Sequence, residues 1–124
     1  MVLQLPAAVR VFLCTRPTDM RESFDALSGL IEECFGQDLL AGHLFLFLNR
    51  RRDRIKVLAW EEGGMVIWYK LLEVGTFQQL DPQAHASCAS GSAGIELTVT
   101  DLALLLTGID LATARRRKRY SRAG

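Results

Sequence analysis

Residues 43–73 hold three apolar runs rich in β-branched and aromatic residues, His43–Asn49, Arg54–Glu61 and Met65–Glu73, with very short links between them. Links this short leave no room for a crossover, so neighbouring strands must run antiparallel and form a meander. The first link is Arg50-Arg51-Arg52-Asp53. The second is Glu61-Glu62-Gly63-Gly64, whose glycines supply the positive φ of a tight hairpin. Successive turns of a meander lie at opposite ends of its sheet, so one end is basic and the other acidic. Both faces of these strands are apolar: Leu44, Leu46 and Leu48 alternate with Phe45 and Phe47, and Ile67, Tyr69 and Leu71 with Val66 and Trp68. Something must cover at least part of each face.

One cover lies upstream. Val9–Thr15 reads as a short strand stopped at Arg16-Pro17. Met20, Phe24, Leu27, Leu30, Ile31, Cys34 and Phe35 then recur at helical intervals. Thr18 or Asp19 is placed to cap that helix, Asp19 and Glu22 have capping-box spacing, and Gly36 ends it. Downstream, residues 78–94 are polar and rich in Ser and Gly and read as a flexible loop. Ile95–Thr98 forms a short strand, and Thr100 or Asp101 caps a short helix closed by Gly108. Its stripe of Leu102, Leu105 and Leu106 packs on the domain or docks on a partner.

The expectation is one α+β domain: an antiparallel sheet of three to four strands, one main amphipathic helix packed on it, and a short C-terminal helix. Residues 1–77 form the body, 78–94 the loop, 95–110 a strand and helix packing on it, and 111–124 a basic disordered tail. The 124 residues suit a single core. No apolar run reaches the roughly 18–20 residues of a membrane span, and Arg10 and Arg16 bracket the first apolar stretch, so a soluble, cytoplasmic chain without a membrane partner is expected.

The formal charge of +1 conceals an asymmetry. Residues 1–110 carry nine Lys and Arg against fourteen Asp and Glu, a net of −5, and the last fourteen residues carry +6. The tail cations are Arg115, Arg116, Arg117, Lys118, Arg119 and Arg122; the second basic cluster is Arg50, Arg51, Arg52, Arg54 and Lys56. Two basic segments in an otherwise acidic chain point to a polyanionic partner. Cations displace condensed counterions from DNA, so six engaged tail cations set an upper salt slope of about −5. A tail anchors without reading, whereas arginines offered from a folded turn are held at fixed spacing. Lys56 and Lys70 lie on the adjacent strands and extend that surface, and Trp60, Trp68 and Tyr69 either stack on unpaired bases or fill the core.

Catalytic chemistry has little support. Asp19, Glu22 and Asp25 sit near a helix start, where carboxylates favour the macrodipole. Ser23, Ser28, Cys34 and Cys88 lack a nucleophile-elbow context, His43 has no evident acid partner, and GxxxxGK[ST] is absent. Cys14, Cys34 and Cys88 share no CxxC spacing, and His43 and His85 are the two histidines, so neither a metal nor a cofactor is expected. Cys14 and Cys34 read as small buried hydrophobes. The competing enzyme reading is a nuclease-like protein using Asp19, Asp25 and neighbouring acids with Mg²⁺.

Several segments in order carry a family resemblance: Pro17-Thr18-Asp19-Met20-Arg21, Phe24-Asp25-x-Leu27, Gly42-His43-Leu44-Phe45-Leu46-Phe47, Arg51-Arg52-Asp53-Arg54-Ile55-Lys56-Val57-Leu58, and Lys70-Leu71-Leu72-Glu73-x-Gly75-x-Phe77. Over residues 5–80, with a weaker echo in Leu102–Leu111, the chain resembles the Orf2-like accessory proteins called TnpB of bacterial insertion sequences in the family numbered sixty-six. The RNA-guided nuclease that shares the name is a different protein. The resemblance implies a non-catalytic accessory protein for transposition, whose partners are element-end DNA and the cognate DDE-type transposase that cuts strands. It brings no catalytic residues. Asp19, Met20 and Arg21 match one family element, Arg51 to Lys56 a second, and Lys70 with Glu73 a third. Leu71 stands where the family more often has Arg, and Glu22 where a basic residue is usual, which thins the charge of both elements. A protein-only adaptor without DNA contact is the other alternative.

Overall fold

The computed structural model describes residues 9–78, 80, 83, 85, 91–107, 109, 110, 115 and 116, the last four through their strand pairing. Strand β1 (Val11–Cys14) is followed by helix α1 (Phe24–Leu30), then β2 (Leu44–Leu48), β3 (Arg54–Glu61) and β4 (Gly64–Leu71). Strand β5 (Gly94–Leu97), helix α2 (Val99–Thr107) and two-residue strands β6 (Ile109–Asp110) and β7 (Arg115–Arg116) complete the order. The main sheet runs β4-β3-β2-β1-β5.

The β2-β3-β4 meander is antiparallel, with Phe45 opposite Leu58 and Lys56 opposite Tyr69. The whole sheet is mixed, which corrects the expected antiparallel one. Strand β1 pairs parallel to β2, Val11 beside Leu44, because α1 carries the chain back across the sheet before β2 starts. Strand β5 closes the other edge antiparallel to β1.

Each face has its own core. Phe12, Leu27, Ile31, Phe35, Phe45 and Phe47 are buried under α1. Phe45 lies at the centre of their ring contacts, stacked on Phe12 at 5.7 Å and tilted against Phe35 at 5.2 Å between centroids. On the opposite face Leu13, Leu46, Ile55, Val57, Leu102 and Leu105 pack beneath α2. Strand alternation assigns these residues: Ile55 and Val57 point one way, Lys56 and Leu58 the other.

The main helix starts later than its periodicity predicts. The segment before it is engaged elsewhere: Thr18 N donates to Leu48 O at 2.8 Å, and Arg21 N to the Asp19 side chain at 2.9 Å. Asp19 thus closes a local turn instead of capping a helix, and Ser23 is the residue that precedes α1. The end is as expected. A widened turn over Ile31–Phe35 leads to Gly36 in the left-handed region at φ 62°. That turn leaves the carbonyls of Glu33 and Cys34 open to the N–H groups of Ser92 and Ala93, which dock β5 at 3.0 and 3.2 Å. Helix α2 is capped one residue pair earlier than predicted. Thr98 N donates to Asp101 and Asp101 N to the Thr98 hydroxyl, a reciprocal box. Among the described residues no helix is long and apolar enough to cross a membrane.

Candidate nucleic-acid interface

The β2–β3 turn is held by Asn49. Its side-chain carbonyl accepts from Asp53 N at 3.1 Å and Arg54 N at 3.0 Å, while its amide donates to the Asp53 carboxylate at 2.7 Å. Arg52 takes the left-handed conformation, φ 61°, at the closing position. The following strand end wraps behind it: Leu72 N reaches Asp53 O, Phe77 N reaches Arg52 O at 2.6 Å, and the Arg52 guanidinium donates to Gln78 O at 2.5 Å. The turn is therefore braced on both sides, and Asn49 does work that composition and charge did not reveal. Its position immediately before a four-residue turn, where Asn side chains bond forward along the backbone, is the signal that marks it.

The basic residues of this motif divide into two groups. Arg50, Arg51 and Arg54 are exposed, and none of the ion pairs among the described residues includes them. The Arg54 guanidinium donates to the Tyr69 hydroxyl at 3.1 Å, a contact that raises its pKa above the ordinary arginine value. Lys56 is different. It is only 7 % exposed, and its Nζ donates to Met20 O at 2.8 Å and Glu22 O at 2.7 Å while lying 4.8 Å from the Tyr69 ring centroid. Lys70 likewise spends its ammonium internally, on Leu106 O at 2.6 Å near the end of α2. Glu73 is exposed. So Lys56 and Lys70, expected to extend a basic surface, instead tie the motif segments to one another.

The Asp19-Met20-Arg21 element lies beside this turn because Thr18 is bonded to the end of β2 and Lys56 grips the element from beneath. Asp19 receives the Arg21 guanidinium, with Nη2 to Oδ2 at 2.6 Å, and that bond holds its carboxyl down at about 2. Between the two elements runs an open groove of about 620 Å³ bordered by Pro17, Asp19, Met20, Arg50, Arg51 and Arg54. The first two family elements thus share one site. A neighbouring groove, about 470 Å³, has the buried Cys14 and Cys34 in its wall, and Arg16 donates to Cys34 Sγ at 3.1 Å. Cys14 is buried close by, and burial pushes its thiol up to about 11.

At the far end of the sheet Glu61 and Glu62 are exposed, and Arg10 is paired with Glu96 at 2.7 Å, which lowers the Glu96 pKa. The polarity predicted for the meander is present at its two turns. Among the described residues, no three His, Cys, Asp or Glu side chains are grouped to hold a metal ion. Arg115 and Arg116 pair through their backbone with Asp110 and Ile109. Arg117, Lys118, Arg119 and Arg122 lie outside the described residues, as does Cys88.

Two curated relatives share most of this chain. The uncharacterized protein y4jC of Sinorhizobium fredii is 26 % identical over 109 residues, covering 88 % of this chain and 86 % of the relative. The uncharacterized protein y4hO of the same organism is 34 % identical over 103 residues, 82 % of each chain. No solved structure matches. The family model described as IS66 Orf2 like protein matches residues 9–116, a span that contains both grooves, all five strands of the main sheet and both helices. On that match, which spans most of its length, the chain belongs to the IS66 Orf2-like family of insertion-sequence accessory proteins.

Proposed function

We propose that this chain is a non-catalytic accessory protein for the transposition of a bacterial insertion sequence, and that it holds element DNA while the cognate DDE-type transposase breaks the strands. One observation carries the reading: Arg50 and Arg51 are exposed on a turn whose shape is fixed by hydrogen bonds of Asn49 to Asp53 and of Arg52 to Gln78. Guanidiniums presented this way meet phosphates without first giving up an internal partner. The Asp19 carboxylate, the first acid a nuclease reading would use, is already occupied by Arg21. The basic tail adds reach to the same electrostatic attraction.

A salt titration of binding to a duplex carrying the element end tests this. Arg50→Ala and Arg51→Ala should each lower the salt slope by about 0.9, and removal of residues 115–124 should lower it further. A chain that captures the transposase but binds no DNA at low salt is a protein-only adaptor, and the DNA reading is then wrong. Mg²⁺-dependent cleavage by the purified chain, lost in Asp19→Ala, overturns the non-catalytic assignment.

A further inference from the structure

Tyr69 sits on the edge strand β4, opposite Lys56 and two residues from Leu71, which is opposite Arg54. All four side chains belong to the sheet face that carries α1, and Arg54 among them also borders the groove. The ring is fixed twice, by the Lys56 ammonium 4.8 Å from its centroid and by the Arg54 guanidinium at its hydroxyl. Even so, Tyr69 is 45 % exposed, and Leu71 beside it is 54 % exposed. An aromatic ring that is held in orientation, open to solvent and close to exposed arginines has the makeup of a base-stacking platform. Trp68, by contrast, packs against the core on the other face.

We infer that the open face of Tyr69 stacks an unpaired nucleotide, with Arg54, Arg50 and Arg51 following the phosphates along the groove, so that the site takes single-stranded DNA in preference to duplex. The inference rests on the DNA-binding reading above and narrows it to a class of substrate. A duplex hides its base faces in the helical stack, and phosphate contacts alone give the single strand no advantage over it. A single strand offers a base face to Tyr69 and its backbone to the arginines at the same time.

Fluorescence anisotropy on the full chain, with a short labelled oligothymidylate and a duplex of equal length, tests the platform. The single strand should bind more tightly. Tyr69→Leu, which keeps apolar cover over Lys56, should weaken single-strand binding about tenfold and leave duplex binding within about twofold. Tyr69→Phe keeps the ring and should retain the preference. Equal loss on both nucleic acids, or no loss on either, refutes the platform. Duplex binding with no single-strand preference refutes it too while leaving the DNA-binding reading intact; binding to neither form refutes both. If Tyr69→Leu leaves single-strand affinity unchanged but alters the oligomeric mass by light scattering, the exposed patch is a protein contact and the inference fails.

Discussion

Replacing Lys56 by Met separates a structural role from a nucleic-acid contact. The residue is 7 % exposed, and its ammonium donates to two backbone carbonyls, at 2.8 and 2.7 Å, on the segment that precedes α1. Hydrogen bonds to a charged donor each contribute roughly 1.5–3 kcal/mol net. Removing a buried charge returns part of its desolvation cost, and the released carbonyls regain some water, which together offset about one bond. The net expected loss is about 1.5–3 kcal/mol by that reckoning. For a domain of this size, where 1 kcal/mol moves Tm by about 3–5 °C, Lys56→Met should melt roughly 5–15 °C lower by circular dichroism. Its salt slope for duplex binding, measured below the melting transition, should change by less than about 0.5, since no phosphate contact is lost. Arg50→Ala should do the reverse, with a slope smaller by about 0.9 and a nearly unchanged Tm. A Lys56→Met protein that melts normally yet loses a full phosphate's worth of salt slope refutes the buried brace.

His43 accepts a hydrogen bond from Arg10 N at 3.0 Å through Nδ1, and burial, then the Arg10 charge, lowers its pKa. The unfolded chain therefore takes up a proton first, and the stability His43 provides is present above about pH 6.5 and lost as pH falls toward the folded value. Urea melts should show this loss as pH falls below about 6.5, and His43→Gln should flatten it; identical profiles would count against the assignment. Two glycine-to-alanine changes should have opposite signs. A Cβ at Gly91 would lie 2.2 Å from Cys34 O and 2.7 Å from the Phe35 carbonyl carbon, so Gly91→Ala should push β5 off the helix end and lower stability measurably in urea melts. Gly29 in α1 has open space there, and Gly29→Ala should stabilise by about 0.5–1 kcal/mol. Thr98→Ala removes the hydroxyl that caps Asp101 N and should cost about 1 kcal/mol, read as a lower urea midpoint at constant m-value.

The meander was legible because its hairpin links are local: four residues at Arg50–Asp53 and a Gly pair at Gly63-Gly64 dictate antiparallel neighbours whatever surrounds them. The stop at Gly36 and the Leu stripe of α2 were readable for the same reason, since caps and periodicity act within a few residues. The parallel β1–β2 pair was not. Residues 11–13 and 44–46 are brought together by a crossover whose direction depends on where α1 packs, a contact between parts of the chain distant in sequence. The start of α1 misled for a related reason. Met20 has the right spacing for the helix stripe, but its carbonyl is taken by Lys56 from 36 residues away.

Charge count alone thus identified the arginine-rich turn and its acidic counterpart, because side-chain ionisation and hairpin geometry are properties of the residues themselves. Which of those cations face solvent was decided only by packing. Strand register set Lys56 beneath the Asp19–Arg21 element and Tyr69 beside Arg54, while the turn left Arg50 and Arg51 outside. A buried ammonium must find acceptors where it lies and an exposed guanidinium need not, so identical charges in one short motif acquired different work.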